Sequence, residues 1–478
     1  MIAEAGLDDA VWSLLSEAAR VYRDSPRSAA WLDHHLNRLA EPLRLAVAGP
    51  WRAGKSTLVN ALVGQEVAPI ETEGGPPALI WYTDGPAPRV TSYPVAGPAY
   101  DLPADRLGPG LRVPTAGADV RAIAVEWPSR ALRRTQLIDT PPVNGGDEHA
   151  ADRVLHEADA VLYLTPRLGE PDMWFLRLAR EGGLGPAAAV QVITVLTRAD
   201  EAHGRIDALV AAKQAARRRR RDARTAALCQ DVVAVSPLLA SAARTLTAPE
   251  YAALAALAEV PRVDLEPYLL STDRFTAAAF PAPVDAATRR ALLRRFGLFG
   301  VRLAGTLVRT GCRGLTDLAD QLTRHSGLSE LQESVAELFL DRRSALKARS
   351  GLVALNAILT SDPVPGADFL AAEVERLVAG AHEFRELRLL AALRARRVTL
   401  PDELDGQARR LTGAQGADPH ERLGLPVDAP AQDLWASARA AAERWRAEPA
   451  DRGFTPAQRQ AAQVVVRSCE GILSRLAA

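Results

Sequence analysis

The stretch Gly49 to Thr57, GPWRAGKST, fits the pattern G-x-x-x-x-G-K-[ST] and stands between an apolar run, LRLAV, and a helical one, TLVNALVG. A loop of this kind needs glycines so that its backbone can wrap a phosphate chain, and a following helix that points its positive end at the anion. Lys55 then reaches the terminal phosphates and Ser56 supplies an oxygen to Mg²⁺, while Gly49, Ala53, Gly54 and Thr57 complete the cradle. Composition sharpens the point. The chain has three lysines (Lys55, Lys213, Lys347) against 55 arginines. A compact ammonium fits such a cradle where a guanidinium fork does not, which gives a reason for lysine at 55.

Three further segments follow in order, each behind an apolar run. Asp139 ends TQLID and is placed to hold a water on Mg²⁺. Thr197, Arg198 and Asp200 lie in VLTRAD; the Asp200 carboxylate can accept from both donors on the guanine edge while Arg198 lies along the base plane, and adenine offers no such donor pair. Ser236, in VAVSPLL, is placed to shape the base pocket. Each alone is more often a turn or a helix cap. Together they belong at the carboxyl ends of successive strands, where ligands of α/β sheets bind. The expected ligands are GTP or GDP with Mg²⁺.

A chain of 478 residues exceeds one ordinary core. Strand-like runs recur between 43 and 236, several separated by helical stretches, so the predicted fold is an α/β phosphate-loop GTPase domain with a mostly parallel sheet, joined to an α-helical bundle stalk. Predicted boundaries are helices over 1–40 that join the bundle, a GTPase domain over 41–310, and a bundle over 311–478. Val11, Leu14, Leu15, Ala18 and Val21 or Tyr22 share one face of the first helix, and Trp31, His35 and Leu39 one face of the second. Leu331, Val335 and Leu338 share another, and a further helix carries Val374, Leu377, Ala381 and Phe384. Residues 71–115, rich in Pro, Gly and Thr, read as loops around one strand at ALIWYT.

The 58 basic and 58 acidic residues cancel, so no global field draws the chain to nucleic acid or to an anionic bilayer. Cys229, Cys312 and Cys469 lack metal-type spacing and fit a reducing compartment. With an acidic N-terminus and no long apolar span, a cytoplasmic location is expected, with room for peripheral contact at the inner face of the membrane.

EPLRLAVAG, AGKSTLVNALVG, IDTP, TRAD, STDRF, RFGLFGVR and HSGL, with helices flanking the nucleotide domain on both sides, resemble the bacterial dynamin-like GTPases, and most of all the actinobacterial isoniazid-inducible group. The resemblance runs through most of the chain. It implies a stalk shared between the N-terminal helices and the C-terminal half, and GTP-dependent self-association, or association with another dynamin-like protein, that remodels membranes.

Two positions depart from that family. Its third motif is D-x-P-G, whose glycine N–H bonds the γ-phosphate; here that position is Pro142, which has no N–H and a fixed φ. The chain is then either a working GTPase with slow hydrolysis or a nucleotide-holding subunit beside an active paralogue. Val143 or Asn144 offers a replacement donor, and Gly145 and Gly146 a displaced hinge. Second, the threonine expected in the first switch has no clear counterpart, Thr72 being the one candidate. Arg52 supplies charge to the phosphates in cis, or is simply a solvated loop residue. The basic run 213–224 reads as the solvated face of a helix or as a contact for anionic lipid or a partner. The stretch 289–308 reads as packing between sheet and stalk or as an interfacial helix. ERLGLPVDAPAQDLWASARAAAERW has the look of a J-domain opening but lacks His-Pro-Asp, and is expected to be a terminal helical hairpin.

Overall fold

The computed structural model describes residues 6–69, 78–103, 105–107, 110–112, 120–185, 188–198, 208–451 and 453–477. Eleven strands are present among them: β1 (Leu43–Ala48), β2 (Leu79–Asp84), β3 (Arg89–Pro94), β4 (Tyr100–Leu102), β5 (Asp105–Leu107), β6 (Gly110–Arg112), β7 (Val120–Trp127), β8 (Thr135–Asp139), β9 (Ala160–Thr165), β10 (Val192–Leu196) and β11 (Asp231–Ala234). Nine form one sheet in the order β11-β10-β9-β1-β8-β2-β7-β3-β4, and β5 pairs with β6 alone.

From β11 to β8 every neighbour is parallel. These strands are buried on both faces, which is why LRLAVA, AVLYLT and VITVL read as unbroken apolar runs. Beyond β8 the pairing changes: β2 runs antiparallel to β8, parallel to β7, and β3 runs antiparallel to β7 and β4. In β7 burial alternates along VRAIAVEW, as expected of a sheet with one wet face. The stretch expected to be loops around one strand therefore holds β2 to β6. Their Pro- and Gly-rich turns hid short strands whose stability comes from cross-strand pairing, which local composition does not report.

The two faces of the parallel part are covered differently. Ala46, Val161, Tyr163 and Val192 meet Ala151, Val154, Phe175, Leu176 and Ala216 on crossover helices, with the Tyr163 ring stacked on Phe175 at 4.5 Å. The opposite residues, Leu45, Val47, Leu162 and Ile193, share a core with α1 (Leu7–Val21) and α3 (Lys55–Val63), and with helices from 328 to 391. The helical half thus extends the core of the sheet. α1 and α2 (Pro26–Ala40) pack on the helix Arg343–Ser361. At Gly351 an added Cβ would stand 3.1 Å from Leu15 and Val11, a tight contact that would oblige those side chains to give by a few tenths of an ångström.

On α1 the predicted face is buried, with Tyr22 rather than Val21 completing it. On α2 the buried side is Ser28, Leu32, His35 and Arg38, and Trp31 is exposed. Arg38 sets that rotation: it is drawn inward to Asp159, at 2.7 Å. Leu331, Val335 and Leu338 are buried as expected. Val374, Leu377, Ala381 and Phe384 are also buried, but on two helices, Asp368–Gly380 and His382–Arg394, divided by extended backbone at Ala381.

The helix Ala286–Arg309 is kinked at Gly297, whose backbone is non-helical, and buries Leu292, Phe296, Phe299 and Leu303. The stretch 289–308 is therefore packed. Leu318 and Leu322, just beyond the expected boundary near 310, belong to the same core. At the C-terminus the helices Ala431–Asp451 and Pro456–Ala477 form a hairpin around Trp445; the stretch 421–445, expected to be a hairpin by itself, supplies most of its first helix and the connection before it.

Candidate functional site

Because β1, β8, β9, β10 and β11 are parallel neighbours, residues just after β1, β8, β10 and β11 come to one edge of the sheet. Gly49, Asp139, Thr197 and Ser236, distant in sequence, are brought there together. The turn out of β1 is fixed by glycine. Gly49 has φ of 146°, and a Cβ on it would lie 2.2 Å from the Leu164 carbonyl oxygen. Gly54, at φ of 92°, caps α3 and lies against Pro237. Arg52 also holds positive φ, unusual for a side chain of its size, and such strain is found where a loop is shaped for a ligand.

The Lys55 ammonium is folded under this loop and donates to the carbonyls of Gly49 and Pro50, both at 3.2 Å. Burial lowers its pKa from the ordinary value, against the opposing pull of Asp139. A cation so placed gains from an anion at the loop mouth. Ser56 Oγ donates to Asp139 Oδ2 at 2.6 Å, joining the first turn of α3 to the end of β8. A hydroxyl and a carboxylate in contact would suit Mg²⁺, Ser56 as a direct ligand and Asp139 through water. The donor set fits the ion and the cramped Gly49 cradle fits a phosphate. Among the described residues no three His, Cys, Asp or Glu side chains converge on a metal site of their own.

The segment expected to read the base is tied to this loop. Arg198 Nε donates to the Arg52 carbonyl at 3.1 Å, Thr197 N–H to Thr165 O at 2.9 Å, and Arg198 too lies at positive φ. The Thr197 hydroxyl is buried and has no hydrogen-bond partner among the described residues. Asp200, and also Thr72 in the first switch, lie outside the described residues. Ser236 is fully buried; its Oγ caps the helix Pro237–Arg244 and its N–H bonds Ser326 O at 2.8 Å. Its neighbour Pro237 packs on Gly54.

Two contacts absent from the sequence reading matter most. After Asp139 the chain does not leave the phosphate loop. Thr140 Oγ1 donates to Val47 O at 3.1 Å, and Val143 N–H donates to Gly49 O at 3.0 Å with its side chain in the core. The Val143 N–H, named as a replacement donor for the γ-phosphate, is thus already spent on the loop. The apolar Val143 beside two prolines was the available signal.

No family model matches the chain. It is 37% identical over 491 aligned positions, covering 98% of this chain and 99% of the relative, to the isoniazid-induced protein IniC of Mycobacterium tuberculosis, in strains CDC 1551 / Oshkosh and H37Rv alike. Two solved structures described as an oligomerised bacterial dynamin pair, which provides a mechanism for long-range sensing and tethering of membranes, align over 98% of this chain and 75% of theirs. Their identity is 14% and their TM-scores are 0.32 and 0.31, too low to superpose one backbone on the other. Near end-to-end identity to IniC, with a phosphate loop at the edge of a parallel sheet and helices on either side of it in sequence, leads to one conclusion: the chain belongs to the bacterial dynamin-like GTPase family, in its isoniazid-induced group.

Proposed function

We propose that this protein binds guanine nucleotide with Mg²⁺ at the edge of its parallel sheet, and that it hydrolyses GTP slowly. The observation that carries the reading is the joined geometry of Lys55, Ser56 and Asp139 beneath the Gly49 cradle. Lys55 would turn from two loop carbonyls to the β- and γ-phosphates, whose charge offsets the cost of burying its ammonium. Gly49, Ala53, Gly54 and Thr57 would line the phosphates with backbone, and Thr197, Arg198 and Asp200 would select guanine. Ser56 and, through water, Asp139 would hold Mg²⁺, which would supply charge neutralisation to the phosphates.

Slow turnover follows from the loop after Asp139. Pro142 has no N–H to offer, and the next N–H, of Val143, bonds Gly49 O. Forfeiting one charge-assisted hydrogen bond to the γ-phosphate costs about 1.5 to 3 kcal/mol, roughly ten- to a hundredfold in telling GTP from GDP. The second reading, a subunit that holds nucleotide for structure beside an active dynamin-like paralogue, is favoured by this same bond. GTP-dependent self-association and peripheral membrane contact come with the family, and form the rest of the proposal. Among the described residues no helix is long and apolar enough to cross a membrane.

Calorimetric titration of GTP, GDP and ATP tests the binding claim. Wild type is expected to take GTP and GDP and to reject ATP, and Lys55→Ala to lose both. Equal affinity for ATP, or binding indifferent to Lys55, would refute it.

A further inference from the structure

The basic run 213–224 divides in the structure. Arg219 donates to Leu168 O at 3.3 Å. Arg220 is built in: its Nε lies 2.6 Å from Asp231 Oδ1, and its Nη2 donates to Glu330 at 2.8 Å. Arg394, on the helix His382–Arg394, meets the other oxygen of the same buried Asp231 at 2.8 Å and Glu337 at 2.9 Å. Between these two anchored arginines opens a cleft of about 330 Å³, lined by Arg217, Arg220, Arg221, Arg394, Arg396 and Glu330, with Ala395.

The charges there do not balance. Asp231, Glu330 and Glu337 answer Arg220 and Arg394. The side chains of Arg217, Arg221 and Arg396 make no hydrogen bond or ion pair among the described residues, and Arg396, whose N–H bonds Leu393 O, is held at positive φ in the turn after its helix. Five arginines against three carboxylates leave an excess of positive charge, and the three guanidiniums without a partner repel one another unless an anion joins them. Their flat forks are shaped for phosphate oxygens. The volume is at the low end for ligand pockets, enough for a small molecule.

We propose that this cleft, between the crossover helix Ala208–Arg221 and the turn at Arg396, is a second anion site, distinct from the phosphate loop, for a compact ligand carrying two or more phosphates. It bridges the nucleotide-binding sheet and the helical half, so its occupant clamps the two together. The site is independent of the nucleotide reading, which concerns the opposite ends of the strands: Asp231 begins β11, whereas Ser236 follows its end.

The test uses the full-length chain carrying Lys55→Ala, so that the phosphate loop does not contribute, with inorganic triphosphate as probe. One triphosphate per chain is expected, weakened by about tenfold or more in Arg217→Gln/Arg396→Gln, with part of the affinity returned by the Arg→Lys pair. Both positions are exposed and unpaired, so an unchanged melting temperature is the folding control. Flotation with vesicles of cardiolipin in phosphatidylcholine separates the sources. Co-flotation lost in the double Gln variant assigns the site to a diphosphate lipid headgroup; triphosphate binding without co-flotation assigns it to a soluble polyphosphate. Triphosphate affinity equal in the two chains, or no binding of either probe, overturns the site.

Discussion

At Gly49 conformation and space act together. Its φ of 146° lies outside the range of side-chain-bearing residues, and any Cβ would strike Leu164 O. Gly49→Ala is expected to cost about 2 to 4 kcal/mol and to abolish nucleotide binding, read by denaturant unfolding and by titration. Unchanged stability would mean that the turn is not held as described. Lys55, Ser56 and Asp139 were legible in the sequence, because their spacing and flanking strands are local signals. The Val143 N–H bond to Gly49 O was not, since it joins segments nearly a hundred residues apart and depends on β1 and β8 being neighbours. Ser236 lies at the sheet edge expected of it, and its hydroxyl caps the helix that follows, a contact set by the turn out of β11.

Elements are pinned by buried charge. Asp159, at the head of β9, receives Arg38 from α2, the Arg44 N–H from β1, and Lys347 from the helix Arg343–Ser361. Burial alone would raise its pKa; Arg38 and Lys347 hold it below the ordinary carboxyl value. Asp159→Asn leaves buried cations unanswered and is expected to cost about 3 to 5 kcal/mol by denaturant unfolding, where a loss below about 1 kcal/mol would deny the junction its role. Glu386 plays the same part in the C-terminal core. Burial pushes its carboxyl up, but Arg422 and Arg342 hold it down to about 2. Its folded pKa is below the unfolded value, so the stability it contributes is complete above about 4.5 and is lost as pH falls toward 2. Glu386→Gln should flatten that acid limb of the stability curve, and an unchanged limb would assign it to other groups. Amphipathic faces were readable where one helix packs on one neighbour, as on α1. They failed where an ion pair set the rotation, as on α2, or where extended backbone split one periodic run at Ala381.

Across the whole molecule, one face of the sheet, α1 and the helices from 328 to 391 share a single core, while the last helices pack in a core of their own, so the sheet and the first part of the helical half are continuous packing. A change at the phosphates therefore has a solid route to the helices, if the loop after Asp139 is free to move. That loop is fastened to β1 by Thr140 and to Gly49 by Val143, and carries Pro142, which has no N–H to offer. The measurement that bears most directly on this account is single-turnover GTP hydrolysis, beside affinities for GTP and GDP, in wild type and Pro142→Gly. We predict that wild type binds the two nucleotides alike and turns GTP over slowly, and that glycine restores a preference for GTP of roughly tenfold or more, with faster turnover. Wild-type discrimination and turnover left unchanged by the substitution would contradict it.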